Sequence, residues 1–339
     1  MPEYPPGAPE QPPDRWDMYW AHGFVTSCAL AFSANYEGRM RGIWEEFFEA
    51  LEPGARILDI CTGNGAIAVI ANQVSRAHDK AFEIHGIDSA RIDPAATLKG
   101  DRTLLEGIHF HAGMPAERTS FGDDSFDAVT GQYALEYTDV PKAISEIARV
   151  LRAGGRCLFV MHHADSVVLE TGREELRHAR LLFEETALFE RGRDLMRRMA
   201  VAATPAGRQA LAQDADAEDK RQRLNAAAAD VSAAIGRSAH PEMLRGALGA
   251  LGRAWQAARD SGLEPALAML DQAEREIRAN EERLRDLLRA ASDAARIEQI
   301  LAHMHDGGLE TQPATALHHE DTPESRRLVG WVVRAQKEP

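Results

Sequence analysis

Residues 56–72, RILDICTGNGAIAVIAN, constrain the fold of this chain more than any other stretch. Arg56 to Ile60 is a short apolar run with the length and Ile/Leu content of a buried strand. It includes Asp59, turns through Cys61-Thr62-Gly63-Asn64-Gly65, and continues as Ala66–Ala71 with helical composition. Strand, tight glycine turn and helix in that order predict a parallel α/β sheet with a nucleotide-cofactor site at the carboxyl end of the strand. Gly63 and Gly65 can take positive φ and let a ligand close to the backbone, and the helix start offers unpaired N–H groups to negative charge. A plain strand-to-helix connection would use the same turn, so the turn alone does not decide.

Two acids narrow the reading. Glu83–Asp88 reads as a second strand, and Asp88 at its end can accept hydrogen bonds from both ribose hydroxyls of an adenosine cofactor. Asp59, beside the glycine turn, is unwelcome next to a pyrophosphate and suits a cofactor with a cationic centre and an ammonium group. Three further strands follow at Ile108–Ala112, Phe126–Thr130 and Arg156–Met161. The fourth ends in Gly131-Gln132-Tyr133-Ala134-Leu135-Glu136-Tyr137 and the fifth in His162-His163. Reacting groups of open α/β sheets gather at such carboxyl ends.

Together these residues resemble the class I S-adenosylmethionine-dependent methyltransferases, whose glycine motif looks like L-D-x-x-x-G-x-G. The wording DICTGNGAIA is close to the form seen in quinone-ring and release-factor methyltransferases. The resemblance covers Pro53–His163 and Gly307–Lys337. It implies a Rossmann-like, seven-stranded, mostly parallel sheet with the last strand antiparallel, and S-adenosyl-L-methionine as cofactor. It also implies that Asp59, Gly63 and Gly65 frame the methionine portion while Asp88 binds ribose, with Ile60, Cys61, Thr62, Asn64 and Ser89 as further cofactor contacts. Met114 or Pro115 stands where the family normally carries an acid for the adenine amino group, so backbone and apolar contact would hold the base. Gln132 and Tyr133 fall beside the transferable methyl. Catalytic candidates are Tyr133, Glu136, His162 and His163, the last three as bases, and Trp20, Tyr36 and Tyr137 are candidate substrate contacts. The Asn/Asp-Pro-Pro-Tyr motif of amide and DNA amino-methyltransferases is absent, which disfavours that chemistry.

The rest of the chain is organised around this domain. Met1–Pro13 is proline-rich and expected to be a disordered lead-in, and residues 14–52 read as two capping helices. The Trp16/Tyr19/Trp20 cluster is either core packing or a lid over the substrate pocket. The methyltransferase domain is expected over 53–165 and 296–339. Between its fifth and sixth strands, 166–295 form an Ala/Arg/Glu/Leu-rich helical insertion of four helices, with the last running from Leu263 towards Met304. It would serve as lid, dimer arm or partner platform. Leu309–Leu317 and Leu328–Ala335 make the terminal strand pair.

Charge and cysteine usage exclude some functions. The 53 acidic and 39 basic residues give a net charge of −14, which argues against a nucleic-acid groove. Cys28, Cys61 and Cys157 are too scattered for a metal set and read as buried thiols in a reducing compartment. With no membrane span, the expectation is a cytoplasmic protein without a metal. The reading is therefore a methyltransferase acting on an O or N atom of a small molecule. Rivals are a methyltransferase for a protein or carrier-bound substrate docked on the insertion, a non-catalytic cofactor-binding scaffold, and a dinucleotide dehydrogenase. A homodimer through the insertion is a further expectation.

Overall fold

The computed structural model describes residues 14–27, 34–98, 101–200, 204–320 and 326–338. The proline-rich lead-in and Cys28 lie outside them. Two compact units emerge, one made of the chain up to Leu169 and from Arg289, the other of Glu170–Leu288.

The first unit is built on an eight-stranded sheet. Helices α1 (Arg15–Ala21) and α2 (Gly38–Glu49) precede β1 (Arg56–Ile60), α3 (Ala66–Ala77) and β2 (Glu83–Asp88). A short α4 (Pro94–Thr97) leads to β3 (Ile108–Ala112) and β4 (Phe126–Gln132), and α5 (Val140–Val150) to β5 (Leu151–Met161). Strands β1 to β5 are parallel, in the order β3-β2-β1-β4-β5. The order reverses at β1, between β2 and β4, which opens a crevice at their carboxyl ends. Alternating side chains feed two cores. Ile57, Ile84 and Val160 face Met40, Trp44, Phe48, Ile67 and Ile70 of α2 and α3. Leu58, Ile87 and Val129 join Ile144, Ile147, Ile297, Ile300 and Met304 on the other face.

After the helical unit the chain returns through α12 (Ala294–Asp306) to β6 (Leu309–Thr311), β7 (Thr315–Glu320) and β8 (Arg326–Lys337). The last strand lies antiparallel to β5, as expected. The expected single strand over Leu309–Leu317 is split in two, so the sheet has eight strands rather than seven. Both pieces pair with β8, and the break falls at Gln312-Pro313-Ala314, where Pro313 has no N–H to give the ladder.

The second unit is wholly helical and has more helices than the four expected. From α6 (Val167–Arg180) the chain passes a π-turn at Leu181–Glu185 into α7 (Leu188–Met199) and α8 (Pro205–Leu211). Then come α9 (Ala215–Ile235), α10 (Glu242–Asp260) and α11 (Leu263–Ala290). Asp214 caps the start of α9 and Asp293 the start of α12, so polar N-caps begin new helices where the apolar pattern alone would have continued one. Inside the unit Gly192 lets α7 approach Leu251 and Leu270, and Arg193 pairs with Asp271 and Glu274. No described helix is long and apolar enough to cross a membrane.

Cap helix α2 is tied to the sheet by buried polar contacts at Gln132. Trp44 Nε1 donates to Gln132 Oε1 at 2.8 Å, and the Gln132 amide nitrogen faces Met40 Sδ at 3.5 Å. Trp44→Phe would leave that buried carbonyl without its donor and should cost about 1–3 kcal/mol in chemical denaturation. An unchanged unfolding midpoint would show that the contact contributes nothing.

Candidate methyl-donor site

The turn between β1 and α3 is held open by buried acids. Asp59 pairs in register with Gly86 on one side and Thr130 on the other. Its carboxylate accepts from Thr62 Oγ1 at 2.6 Å and Thr130 Oγ1 at 2.9 Å. Asp88 accepts the Gly63 N–H at 2.9 Å and the Ala90 N–H at 2.8 Å. Three turn residues sit at positive φ: Cys61 at 48°, Gly63 at 54° and Gly65 at 88°. For the glycines this conformation is free of penalty, whereas Cys61 is strained there by about 1–2 kcal/mol.

Burial dominates the electrostatics. It pushes the Asp59 carboxyl up to about 7 and that of Asp88 to about 6, and the hydroxyl and amide donors only partly offset it. Glu136, on the turn after β4, is likewise pushed up to about 7 by burial. The Cys61 thiol is raised by burial first, then by Asp88, Glu117, Asp59 and Glu136. Four carboxyl groups therefore lie within electrostatic reach of Cys61. Each raised acid binds its proton more tightly folded than unfolded, so the fold loses stability as pH climbs from the ordinary carboxylate range towards 7. A cation placed among them would relieve that loss.

A second group forms where β4 and β5 end. Glu136 is 3% exposed, and its Oε1 accepts the His162 backbone N–H at 2.7 Å. Oε2 is equally buried with no hydrogen-bond partner among the described residues. The His162 ring stacks on Tyr133 at 3.9 Å and 2°, and Tyr137 meets its edge at 5.9 Å. Tyr137 in turn meets Trp16 of α1 at 5.7 Å. Tyr133 is at φ 52°, a second strained residue at a strand's carboxyl end.

Several expected site residues do other work. Gln132 is committed to Trp44 rather than to the transferable methyl. The Tyr133 hydroxyl donates to the Val329 carbonyl at 2.9 Å, so it is a wall rather than a base. His163 stacks on Trp331 at 4.4 Å and its Nδ1 accepts the Asp165 N–H, because strand alternation turns it away from His162. Tyr36 is buried in the core against α2 and α3 and does not line a substrate pocket. Trp20 lies on the glycine turn itself, not on the acceptor side. Asp59 faces the two threonine hydroxyls and shapes the turn instead of facing a ligand. Ile60 is likewise buried in the core. Asn64 binds the carbonyls of Trp20 and Phe24. Met114 is brought to the end of β2 by its N–H to the Asp88 carbonyl at 2.8 Å, while Pro115 and Ser89 are exposed. Thr130 and Phe110 were not anticipated. Thr130 carries a readable signal, a hydroxyl in a buried strand, whereas the packing of Phe110 on Gly65 depends on the register of β3.

Comparison with known proteins bears on the same segment. The methyltransferase domain family model matches residues 58–159. Residues 58–159 of the α/β unit are thus a methyltransferase domain. The uncharacterized methyltransferase YcgJ of Bacillus subtilis is 36% identical over 112 residues, 32% of this chain and 41% of that protein. A ubiquinone/menaquinone biosynthesis C-methyltransferase of Xanthomonas campestris is 32% identical over 117 residues, 33% of this chain and 46% of that one. The 2-phytyl-1,4-naphtoquinone methyltransferase of Synechococcus elongatus is 30% identical over 128 residues, 36% and 52% respectively. The chain thus spans about half the length of these curated relatives, or less. A solved structure of the Bacillus subtilis YcgJ protein aligns over 88% of this chain and 98% of that one, with TM-score 0.36 and 18% identity.

The methyltransferase domain's residues fit its cofactor. Gly63 presents backbone where any Cβ would protrude, and Asp88 has lone pairs left after its two backbone bonds. Ribose hydroxyls donate best to the ionised carboxylate. Affinity for S-adenosylhomocysteine should therefore be flat at high pH and weaken about tenfold per unit as pH falls below the Asp88 pKa of about 6. Asp88→Asn should remove that dependence and weaken binding at pH 8 by about 1–3 kcal/mol. Calorimetry across pH 5–8 checks both, and a pH-independent wild-type affinity would take Asp88 out of the site.

Proposed function

We propose that this chain transfers the methyl group of S-adenosylmethionine to a ring carbon of a small, electron-rich aromatic acceptor such as a hydroquinone. The observation that carries the reading is Glu136, a buried carboxyl with one free oxygen and a pKa pushed up to about 7, set among aromatic rings at the ends of β4 and β5. Bound methyl donor supplies an electrophilic methyl on a sulfonium. The chain must align that carbon with a nucleophile and take a proton from the acceptor.

Each residue has a part in this. Asp88 holds the donor's ribose, and the bare Gly63 backbone lets the donor pack closely on the turn. The face built by His162, Tyr137 and Tyr133 suits a flat acceptor, since aromatic rings pack on planar groups at ring spacing. Glu136 Oε2 accepts the phenolic proton, which raises electron density at the ring carbon beside the hydroxyl. Its Oε1 stays anchored on the His162 N–H, so the base is fixed in place. The acid-rich surround of Cys61 favours a cationic donor over its neutral product, which helps exchange after transfer.

The sequence alone favoured an O or N acceptor. Two relatives bear on this, since one is named a C-methyltransferase of ubiquinone/menaquinone biosynthesis and the other a naphtoquinone methyltransferase. The first supports carbon as the receiving atom, and both support a quinone-type acceptor. Oxygen methylation of the same phenol is the second reading, because Glu136 would serve it equally.

The test uses a panel of hydroquinones, catechols and amines with labelled methyl donor, the product being assigned by NMR. A C–CH3 signal supports the proposal, an O–CH3 signal the second reading, and an N–CH3 signal contradicts both. Glu136→Gln should lower kcat by about 10²–10⁴ without changing affinity for S-adenosylhomocysteine. The wild-type rate should rise with pH through about 7, where burial has set Glu136, and the variant should lack that rise. A variant with wild-type rate and profile would remove Glu136 from the reaction.

A further inference from the structure

The structure describes a donor site covered by the chain's own N-terminal helix. Gly63 has the bare face that a ligand needs, yet a Cβ placed there would lie 2.3, 2.4 and 2.6 Å from Cζ2, Cη2 and Cε2 of Trp20. The six-membered ring of the indole thus fills that face. The same ring packs on Ala90 and Ile92, in the loop that follows Asp88. Trp20 and Asp88 are each only 6% exposed. A nucleoside cannot reach the Asp88 carboxylate or the Gly63 backbone while the indole stays.

We propose that Trp20 occupies the place of the donor's adenosyl group, so that donor binding requires α1 to leave the glycine turn. The proposal rests on the reading of this turn as the donor site. An indole and an adenine are both flat bicyclic rings, and a slot between a glycine face and an apolar loop accepts either. Two latches hold the covered state. Asp17 takes the Arg91 backbone N–H at 2.7 Å and its Nε at 2.8 Å. Asn64, within the turn itself, donates to the carbonyls of Trp20 at 3.0 Å and Phe24 at 2.8 Å. Both latches are hydrogen bonds from the donor-binding loops to the segment covering them, so release of the helix and exposure of the site are one event.

The cover is also built to leave. Trp20 belongs to a small cluster with Ala90, Ile92, Trp16, Tyr19 and Phe110, separate from both cores that flank the sheet. Helix α1 has only seven residues, and Trp20 is its one buried side chain. Elements with so little committed surface open at lower free energy than the fold unfolds. Apparent donor affinity is then the intrinsic affinity reduced by the fraction of molecules with α1 released.

The experiment measures S-adenosylhomocysteine binding to the full chain by calorimetry, together with acrylamide quenching of Trp20, isolated by difference from Trp20→Phe. Trp20→Ala should bind roughly tenfold more tightly than wild type, as expected when a competing state is removed. Asp17→Ala, which keeps the indole but loses the Arg91 latch, should shift affinity the same way by a smaller factor. Trp20 should become accessible to acrylamide when product binds wild type. Equal or weaker binding by Trp20→Ala, or an indole that stays shielded in the complex, would overturn the proposal and leave the donor-site reading standing. Absence of binding in wild type and both variants would overturn the donor-site reading itself. Binding by the variants alone would support both.

Discussion

The structure depends on one carboxylate. Asp88 holds the Gly63 N–H with one oxygen and the Ala90 N–H with the other, and so ties the turn after β1 to the loop after β2. The turn is left-handed at three of its five residues and would not keep that shape on backbone preference alone. Asp59 adds the second tie through Thr62 and Thr130, one strand further across the sheet. Both acids are held by neutral donors in a buried site, which leaves their charge uncompensated within the chain. That is an environment for a cation, and the family's sulfonium donor brings one.

The opposite wall of the crevice follows from the same topology. Where β4 and β5 end, Tyr133 is forced to positive φ and its ring is stacked on His162, while its hydroxyl is fixed on the Val329 carbonyl of β8. The antiparallel last strand therefore helps fix this wall. The segment that returns from the helical unit does the same. Ser292 takes part in a parallel bridge with His163, and its N–H donates to the His162 carbonyl at 2.9 Å.

Much of this was legible in the sequence. The β1 turn, Asp88 at the end of β2, the helical insertion and the antiparallel last strand all follow from local patterns whose physics is local: apolar runs, glycine spacing and a strand-ending acid. What stayed hidden depends on register and tertiary packing. Nothing in the sequence distinguishes a Gln132 aimed at a ligand from one aimed at Trp44. His162 and His163 look alike in the chain, but alternation sends one to Tyr133 and the other to Trp331. Trp20 was readable as aromatic and amphipathic, and only the fold reveals that it lies on Gly63, far away in sequence. Pro313 was visible too, yet its consequence, a strand broken in two along one partner, needed the pairing of β8.

We propose that the corner built by Gly63 and Asp88 receives the methyl donor. A crystal structure of the full chain with S-adenosylhomocysteine tests it most directly. Both ribose oxygens should lie at hydrogen-bond distance, about 2.5–3.0 Å, from the Asp88 carboxylate, with the product's sulfur directed towards Glu136 and His162. Product bound elsewhere, with Asp88 still holding only the Gly63 and Ala90 amides, would contradict it.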